Sequence, residues 1–300
     1  MTHAMRNLLM TPIRRHRRLH YFLRNLCFAP TEWGRAMRTR QRCVARTLPI
    51  VMIIGCPRSG TSFTARMLSS AGLMLPGEHT VPDEFNADGY FEEHQVVSIN
   101  SDILWGSGGD WFTPPSELRV YVYQRAQIVQ ALARLCSCEG ISGWKDPRGT
   151  LTIPAWLEVV RELEIPVRVV GVFRNPVAVA NSIVRHERGR VDFAQALNAW
   201  CIHNTRLLDL AASLPDRFCW FTTDQPEQNA EANLNAVAAR LGLSGHVREA
   251  PSRQGVSEDN VLASPDATRG IYQRLLKAHV AQRHHVHLQT SFSAVVLKKR

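Results

Sequence analysis

The eight residues from Gly55 to Ser62, Gly-Cys-Pro-Arg-Ser-Gly-Thr-Ser, have the types and order of an anion cradle. They follow an apolar run and open a helix-like pattern, which aims backbone N–H groups and a positive helix end at one spot. Gly55 and Gly60 allow the backbone to close around phosphate oxygens, and Arg58 brings a cation from within the loop. A second anion-holding pair is Arg174, at the end of another apolar run, and Ser182, eight positions later on a helix-like segment. An arginine at a strand end and a serine on the first turns of the next helix can clasp one dianion between them. Without the loop, Arg174 would read as a strand-end arginine in a surface ion pair. Two phosphate-type sites at the carboxyl ends of two parallel strands suit a ligand that carries two phosphate groups.

The Gly-to-Gly spacing of the loop equals that of the nucleotide-triphosphate loop G-x-x-x-x-G-K-[ST], but Thr61 stands where the lysine should be. An ATPase or kinase uses that lysine on the β/γ-phosphates, together with a hydroxyl-held Mg²⁺. Its absence disfavours a nucleotide kinase or NTPase, which stays as one alternative. The other is a non-catalytic binder of anions or nucleic acid.

Cys56-Pro57-Arg58-Ser59-Gly60-Thr61-Ser62 resembles the 5′-phosphosulfate loop of sulfotransferases, [YVC]-P-[RK]-S-G-T-[ST]. Arg174-Asn175-Pro176 with Ser182 resembles their 3′-phosphate motif, R-[ND]-P-x(5)-S. Trp144-Lys145-Asp146-Pro147-Arg148 is similar to the W-K-[DE]-P-R segment of bacterial sulfotransferases and to the K-D-P segment of tyrosylprotein sulfotransferases. The resemblance runs from residue 48 to residue 245. It implies transfer of a sulfuryl group from 3′-phosphoadenosine 5′-phosphosulfate (PAPS) to an acceptor hydroxyl, in line and without a metal. Pro57, Arg58, Ser59, Gly60, Thr61 and Ser62 would then hold the 5′ end, and Arg174 and Ser182 the 3′-phosphate. Lys145 and Arg58 would stabilise charge appearing on the leaving phosphate. Phe63 is either an adenine contact or a core phenylalanine, and Asp146 is structural. Where many relatives carry Y-E-D-L after the third strand, this chain has Phe221-Thr222-Thr223-Asp224, so contacts from that segment are not carried over.

Sulfuryl transfer also needs a base for the acceptor proton. Gly77-Glu78-His79-Thr80 is similar to the G-E-E-T of tyrosylprotein sulfotransferases, with a histidine in the second acidic position. Gly89-Tyr90-Phe91-Glu92 resembles the G-Y-F-E of bacterial sulfotransferases. Glu92, His79 and Glu78 are therefore the candidates, and a histidine near its ordinary pKa suits the role at neutral pH. Each also has a plain explanation: Glu78 and His79 as exposed loop residues, Glu92 and Glu93 as acids favoured in a first helical turn.

The elements that must carry these groups alternate between buried strands and helices. Pro49–Gly55, Val167–Phe173 and Arg217–Thr222 read as strands, with a strand end at Ile141–Trp144. Helical patterns cover Phe63–Ala71, Tyr90–Leu104, Leu118–Cys136, Ile153–Leu163, Pro176–His186, Phe193–Ala212 and Glu227–Leu241, with Pro76–Gly89 and Gly106–Pro115 irregular between them. This order predicts an α/β, three-layer P-loop NTPase-like fold with a mainly parallel central sheet. The tail His284–Arg300 carries no strong pattern, and its His284, His285 and His287 read as solvated rather than metal-binding.

Charge divides the chain. Residues 1–48 hold eleven arginines and one acid, Glu32, which leaves 25 basic and 25 acidic residues for the remainder. The net charge of +10 therefore belongs to a basic arm, residues 1–47, ahead of a domain spanning residues 48–300. Such an arm suits contact with an anionic membrane surface, or a solvated arginine-rich helix. No apolar run reaches membrane-spanning length, no secretory leader is evident, and the seven cysteines form no disulfide framework. The expectation is a reduced, cytoplasmic enzyme, peripheral to a membrane through its arm. Its partner would be a small-molecule, carbohydrate or lipid acceptor, with no nucleic acid.

Overall fold

The computed structural model describes residues 46–224, 227–247 and 264–297 and the isolated positions 23, 26 and 34, with 227–229 and 283–297 described by their backbone. Apart from those three positions, Arg46 and Thr47, the basic arm lies outside the described residues, as do the side chains of His284, His285 and His287. Four strands, β1 (Ile50–Gly55), β2 (Ser142–Lys145), β3 (Val167–Phe173) and β4 (Phe218–Thr222), form one all-parallel sheet in the order β2-β1-β3-β4. This is the α/β architecture with a parallel central sheet that the alternation of elements predicts. β1 is buried at all six positions, as its unbroken apolar run requires of a strand covered on both faces.

Contacts divide the chain into two compact units. One gathers the residues up to Val51 and Met74–Val167; the other gathers Met52–Leu73 and the residues from Arg168 onward.

In the first unit, helices α2 (His94–Gly106), α3 (Val122–Cys136) and α4 (Gly149–Glu162) pack on one another, and α3 also on β2. Glu93 caps α2, its carboxylate accepting from Gln95 N and Val96 N. The helix expected from Tyr90 therefore starts later. Phe91 has a left-handed φ of 56°, and Glu93 bridges antiparallel to His79, so residues 90–93 are not helical. The helix expected from Leu118 likewise begins at Val122, after Tyr121 N bonds the Gln124 side chain. Arg46 fastens the turn into β2. Its guanidinium donates to the carbonyls of Cys136, Cys138 and Gly140 and to Ser142 Oγ, at 3.0–3.2 Å.

In the second unit, α1 (Thr61–Ser70) packs against α7 (Glu227–Leu241), and α7 against β4. Helices α5 (Pro176–His186) and α6 (Phe193–Ser213) pair with each other. β3 and β4 run parallel, with Val169 opposite Phe218 and Phe173 opposite Thr222. The tail from His284, which carries no strong pattern, continues a helix that begins well before it: α8 runs from Asp266 to Leu297 and packs on α6 and β4. Tertiary contact holds it. Gln282 Oε1 accepts from Trp220 N at 2.8 Å, occupying a backbone donor of β4 on the sheet's last strand. No helix among the described residues is long and apolar enough to cross a membrane.

Candidate active site

The candidate anion loop lies in the second unit, between β1 and α1. Gly60 has φ +96° and Arg58 φ +69°, so the chain turns twice through the left-handed region before α1 begins. A side chain at Gly60 would place its Cβ 2.7 Å from Thr223 Cγ2, and one at Gly55 would strike Val172 O at 2.3 Å. Only glycine fits at either position. No acid occupies the first turn of α1, which leaves its N-terminal amides suited to an anion. Two hydroxyls flank Gly60, Ser59 Oγ and Thr223 Oγ1, and both are buried with no hydrogen-bond partner among the described residues. Pro57 and Ser59 lie in the turn itself, and Thr61 and Ser62 open α1.

The 3′-type motif lies in the same unit. Asn175 caps α5 by accepting from Val177 N at 2.9 Å and Ala178 N at 3.1 Å, with Pro176 in the first turn. That cap fixes where β3 stops and so where Arg174 sits, while Trp200 Nε1 donates to the Arg174 carbonyl at 2.9 Å. Arg58 Nε donates to Ser182 Oγ at 3.1 Å, and this hydrogen bond joins the loop to the second motif. Arg174 Nε faces Asp224 Oδ1 at 3.9 Å, and Asp224 also accepts from Tyr272 OH at 2.9 Å and from Asn175 N. Burial raises the Asp224 carboxyl above its ordinary value, against the pull of Tyr272 and Arg174. Phe63 is a core position: it is 5% exposed and its ring stacks on Phe221 with centroids 6.3 Å apart.

The remaining candidates lie in the first unit, around Lys145 at the end of β2. Lys145 is 1% exposed, and its ammonium donates to Glu92 Oε1 at 2.7 Å and to Tyr90 O at 2.9 Å. The other Glu92 oxygen accepts from Arg148 Nη1 at 3.2 Å, and the same nitrogen donates to Asp146 Oδ1 at 2.8 Å. Asp146 Oδ2 accepts from Asn100 Nδ2, and Asn100 Oδ1 accepts from Thr152 Oγ1 and Trp156 Nε1. Two cations and two carboxylates are thus wired through α2 into α4.

Burial pushes the Glu92 carboxyl up, but Lys145 and Arg148 outweigh it and hold it below the usual carboxylate range. Burial pulls Lys145 down, and Glu92 and Asp146 draw it back towards the charged form. With a carboxylate 2.7 Å from the ammonium, the two form an ion pair.

The three candidate bases are not alike. The Glu78 side chain is 93% exposed, with His94 Nδ1 4.0 Å away. His79 packs its ring against Phe91, and burial lowers its pKa, so it is neutral at pH 7. Glu92 leaves the helical turn where the sequence placed it and pairs with Lys145. No sequence pattern points to Asn100 or Tyr272, and none assigns a role to Arg148, Thr223 or Asp224.

A sequence model described as the sulfotransferase family matches residues 49–246. Among solved structures, the chain is similar to the sulfotransferase domain from the Synechococcus PCC 7002 olefin synthase. The identity is 16%, the TM-score 0.43, and the match covers 80% of this chain and 96% of that one. No curated protein matches the sequence significantly.

Proposed function

This chain belongs to the sulfotransferase family, and from that premise we propose that it moves a sulfuryl group from PAPS to an acceptor hydroxyl by in-line displacement. The observation that carries the donor is the 3.1 Å contact between Arg58 Nε and Ser182 Oγ. A loop suited to a 5′-phosphate and a motif suited to a 3′-phosphate meet there, as one nucleotide phosphorylated at both ends demands. The hydroxyls of Ser59 and Thr223, without a partner among the described residues, support the same reading. A buried hydroxyl without a partner costs about 1–3 kcal/mol, and phosphate oxygens are the acceptors that such a cradle lacks.

In this reading, Pro57 to Ser62 hold the 5′ end, and Arg174 and Ser182 hold the 3′-phosphate. Phe63 contributes packing beneath the loop. The acceptor oxygen forms its bond to sulfur as the bond from sulfur to the phosphate oxygen breaks. The electron pair of the broken bond stays on that oxygen, and adenosine 3′,5′-bisphosphate leaves. Lys145 and Arg58 stabilise the charge developing there, taking the part that a metal plays in NTPases. Glu92 takes the acceptor proton. A base and a leaving-group cation serve the same sulfur centre, so their reactive atoms belong within a few ångströms of each other, as the Lys145–Glu92 contact provides. His79, neutral at pH 7, is the second candidate base. The acceptor class is a small-molecule, carbohydrate or lipid hydroxyl, and the basic arm would bring the enzyme to an anionic surface.

The test is transfer of label from ³⁵S-PAPS to hydroxyl compounds of a cell extract in the presence of a chelator. Labelled product is expected, with ATP unable to compete for the donor site. Absence of transfer together with no binding of adenosine 3′,5′-bisphosphate would sink the proposal.

A further inference from the structure

We infer that Arg148 is a positioning residue of the transfer step, one that keeps the Glu92 carboxylate paired and in place while Lys145 is drawn to the leaving phosphate. This rests on the sulfuryl-transfer reading above. Glu92 receives two cations on two different oxygens, Lys145 on Oε1 at 2.7 Å and Arg148 on Oε2 at 3.2 Å. Lys145 reaches it on a flexible four-carbon stem. Arg148 is held fast. Its Nη1 also bonds Asp146 Oδ1, its backbone N–H donates to the same oxygen at 3.0 Å, and Asp146 is anchored by Asn100. Asn100 in turn is held by Thr152 and Trp156 of α4. Arg148 is thus tied to a frame built from α2 and α4, whereas the Lys145 ammonium ends a four-carbon stem with more torsional freedom.

Stability alone does not explain two cations on one buried carboxylate. Buried ion networks are often no more stable than apolar packing of the same volume, while loss of one partner is costly. If Lys145 were the sole partner, any movement towards the donor would leave Glu92 buried, unpaired and displaced. Its proton affinity would then rise through burial, and its oxygens would lose their aim. With Arg148 on Oε2, Lys145 moves while the carboxylate stays ionised and oriented.

The experiment compares wild type with Arg148→Lys and Arg148→Met, using PAPS and an acceptor found as above. For Arg148→Met, kcat is expected to fall about ten- to a hundred-fold, the scale of a misplaced catalytic group, with the donor KM within about twofold of wild type. The acidic limb of the kcat profile should move to higher pH, because a carboxylate that has lost a cation ionises later. Arg148→Lys should restore part of both. A second readout needs no turnover: the Glu92 carboxyl titration by ¹³C NMR, assigned with Glu92→Gln, should move up in Arg148→Lys and further in Arg148→Met. An unmoved Glu92 titration, or a kcat within twofold of wild type in Arg148→Met, overturns the inference. Should Arg148→Met fail to fold, the Arg148→Lys titration decides the matter. A wild-type enzyme that transfers nothing from PAPS would refute the donor reading, while the NMR titration would still judge the Arg148 pairing.

Discussion

Replacing Glu92 by Gln should destabilise the protein more than replacing Lys145 by Met, although the two residues are partners at 2.7 Å. The asymmetry follows from Arg148. Removing Lys145 leaves Glu92 with a guanidinium 3.2 Å away, so the carboxylate stays paired. Removing the Glu92 charge takes from Lys145, 1% exposed, the carboxylate at 2.7 Å that balances its buried charge, while the Tyr90 carbonyl at 2.9 Å brings no counter-charge. Stranding one partner of a buried pair costs about 3–5 kcal/mol, and Glu92→Gln should fall in that range. Lys145→Met should cost about 1.5–3 kcal/mol, nearer the loss of one charged hydrogen bond. The double variant keeps the Arg148–Asp146 pair and should be less destabilised than the sum of the singles by roughly 1–3 kcal/mol. Urea unfolding followed by circular dichroism gives all three values.

The pH dependence has a definite sign. The Glu92 carboxyl is held below its unfolded value, so its contribution is present above the ordinary carboxylate pKa and lost as pH falls through the folded value. Wild-type stability should therefore fall on acidification over a range in which Glu92→Gln changes less. If Lys145→Met is the more damaging of the two, or Glu92→Gln costs under about 1 kcal/mol as an exposed pair would, the picture of a carboxylate held by two cations is wrong.

Three further outcomes follow from the same geometry. Adenosine 3′,5′-bisphosphate should bind equally well with Mg²⁺ and with a chelator, measured by calorimetry, because Arg58 and the loop amides supply the charge complement. Arg174→Ala should weaken that binding more than Ser182→Ala, since a bond charged on both sides outweighs a neutral one, and both losses should vanish with 5′-AMP, which lacks the 3′-phosphate. Lys145→Ala should lower kcat by about 10²–10³ with little change in donor KM, as expected for a cation that acts on transition-state charge.

The parts of the site that were readable in the sequence are those fixed by local spacing. Gly60 must turn through φ +96° beneath Thr223, and no other residue type does this cheaply, so the loop announces itself in its glycines. Asn175-Pro176 is a helix cap followed by a helix-starting proline, and it marks the end of β3 and the place of Arg174 just as plainly. The Lys145–Glu92 pair is different, because its members are 53 positions apart and nothing periodic connects them. Residues 90–93 carry a helix-compatible pattern, and tertiary pairing overrides it. Lys145 takes Tyr90 O and Glu92, and the left-handed Phe91 turns the chain between them. α8 was missed for a related reason, since Gln282 on Trp220 and Tyr272 on Asp224 bind it to the second unit and neither contact leaves a trace in the helix's own pattern.

The segment Phe221-Thr222-Thr223-Asp224 departs furthest from the family's wording, yet its side chains contact both proposed anion sites. Thr223 packs its methyl where a Gly60 side chain would go, and Asp224 lies 3.9 Å from the Arg174 guanidinium while accepting from Asn175 N. An arginine that must clasp a phosphate benefits from a neighbour that sets its direction beforehand, since the ordering entropy is then lost on folding rather than on binding. Full ionisation of that neighbour would compete with the phosphate it helps to place. Burial raises the Asp224 carboxyl and so weakens that competition, while Tyr272 and Asn175 keep it oriented. In the proposed site, the segment at the end of β4 would therefore serve through its contacts rather than its letters, by the direction it gives the Arg174 guanidinium and the space it fills beside Gly60.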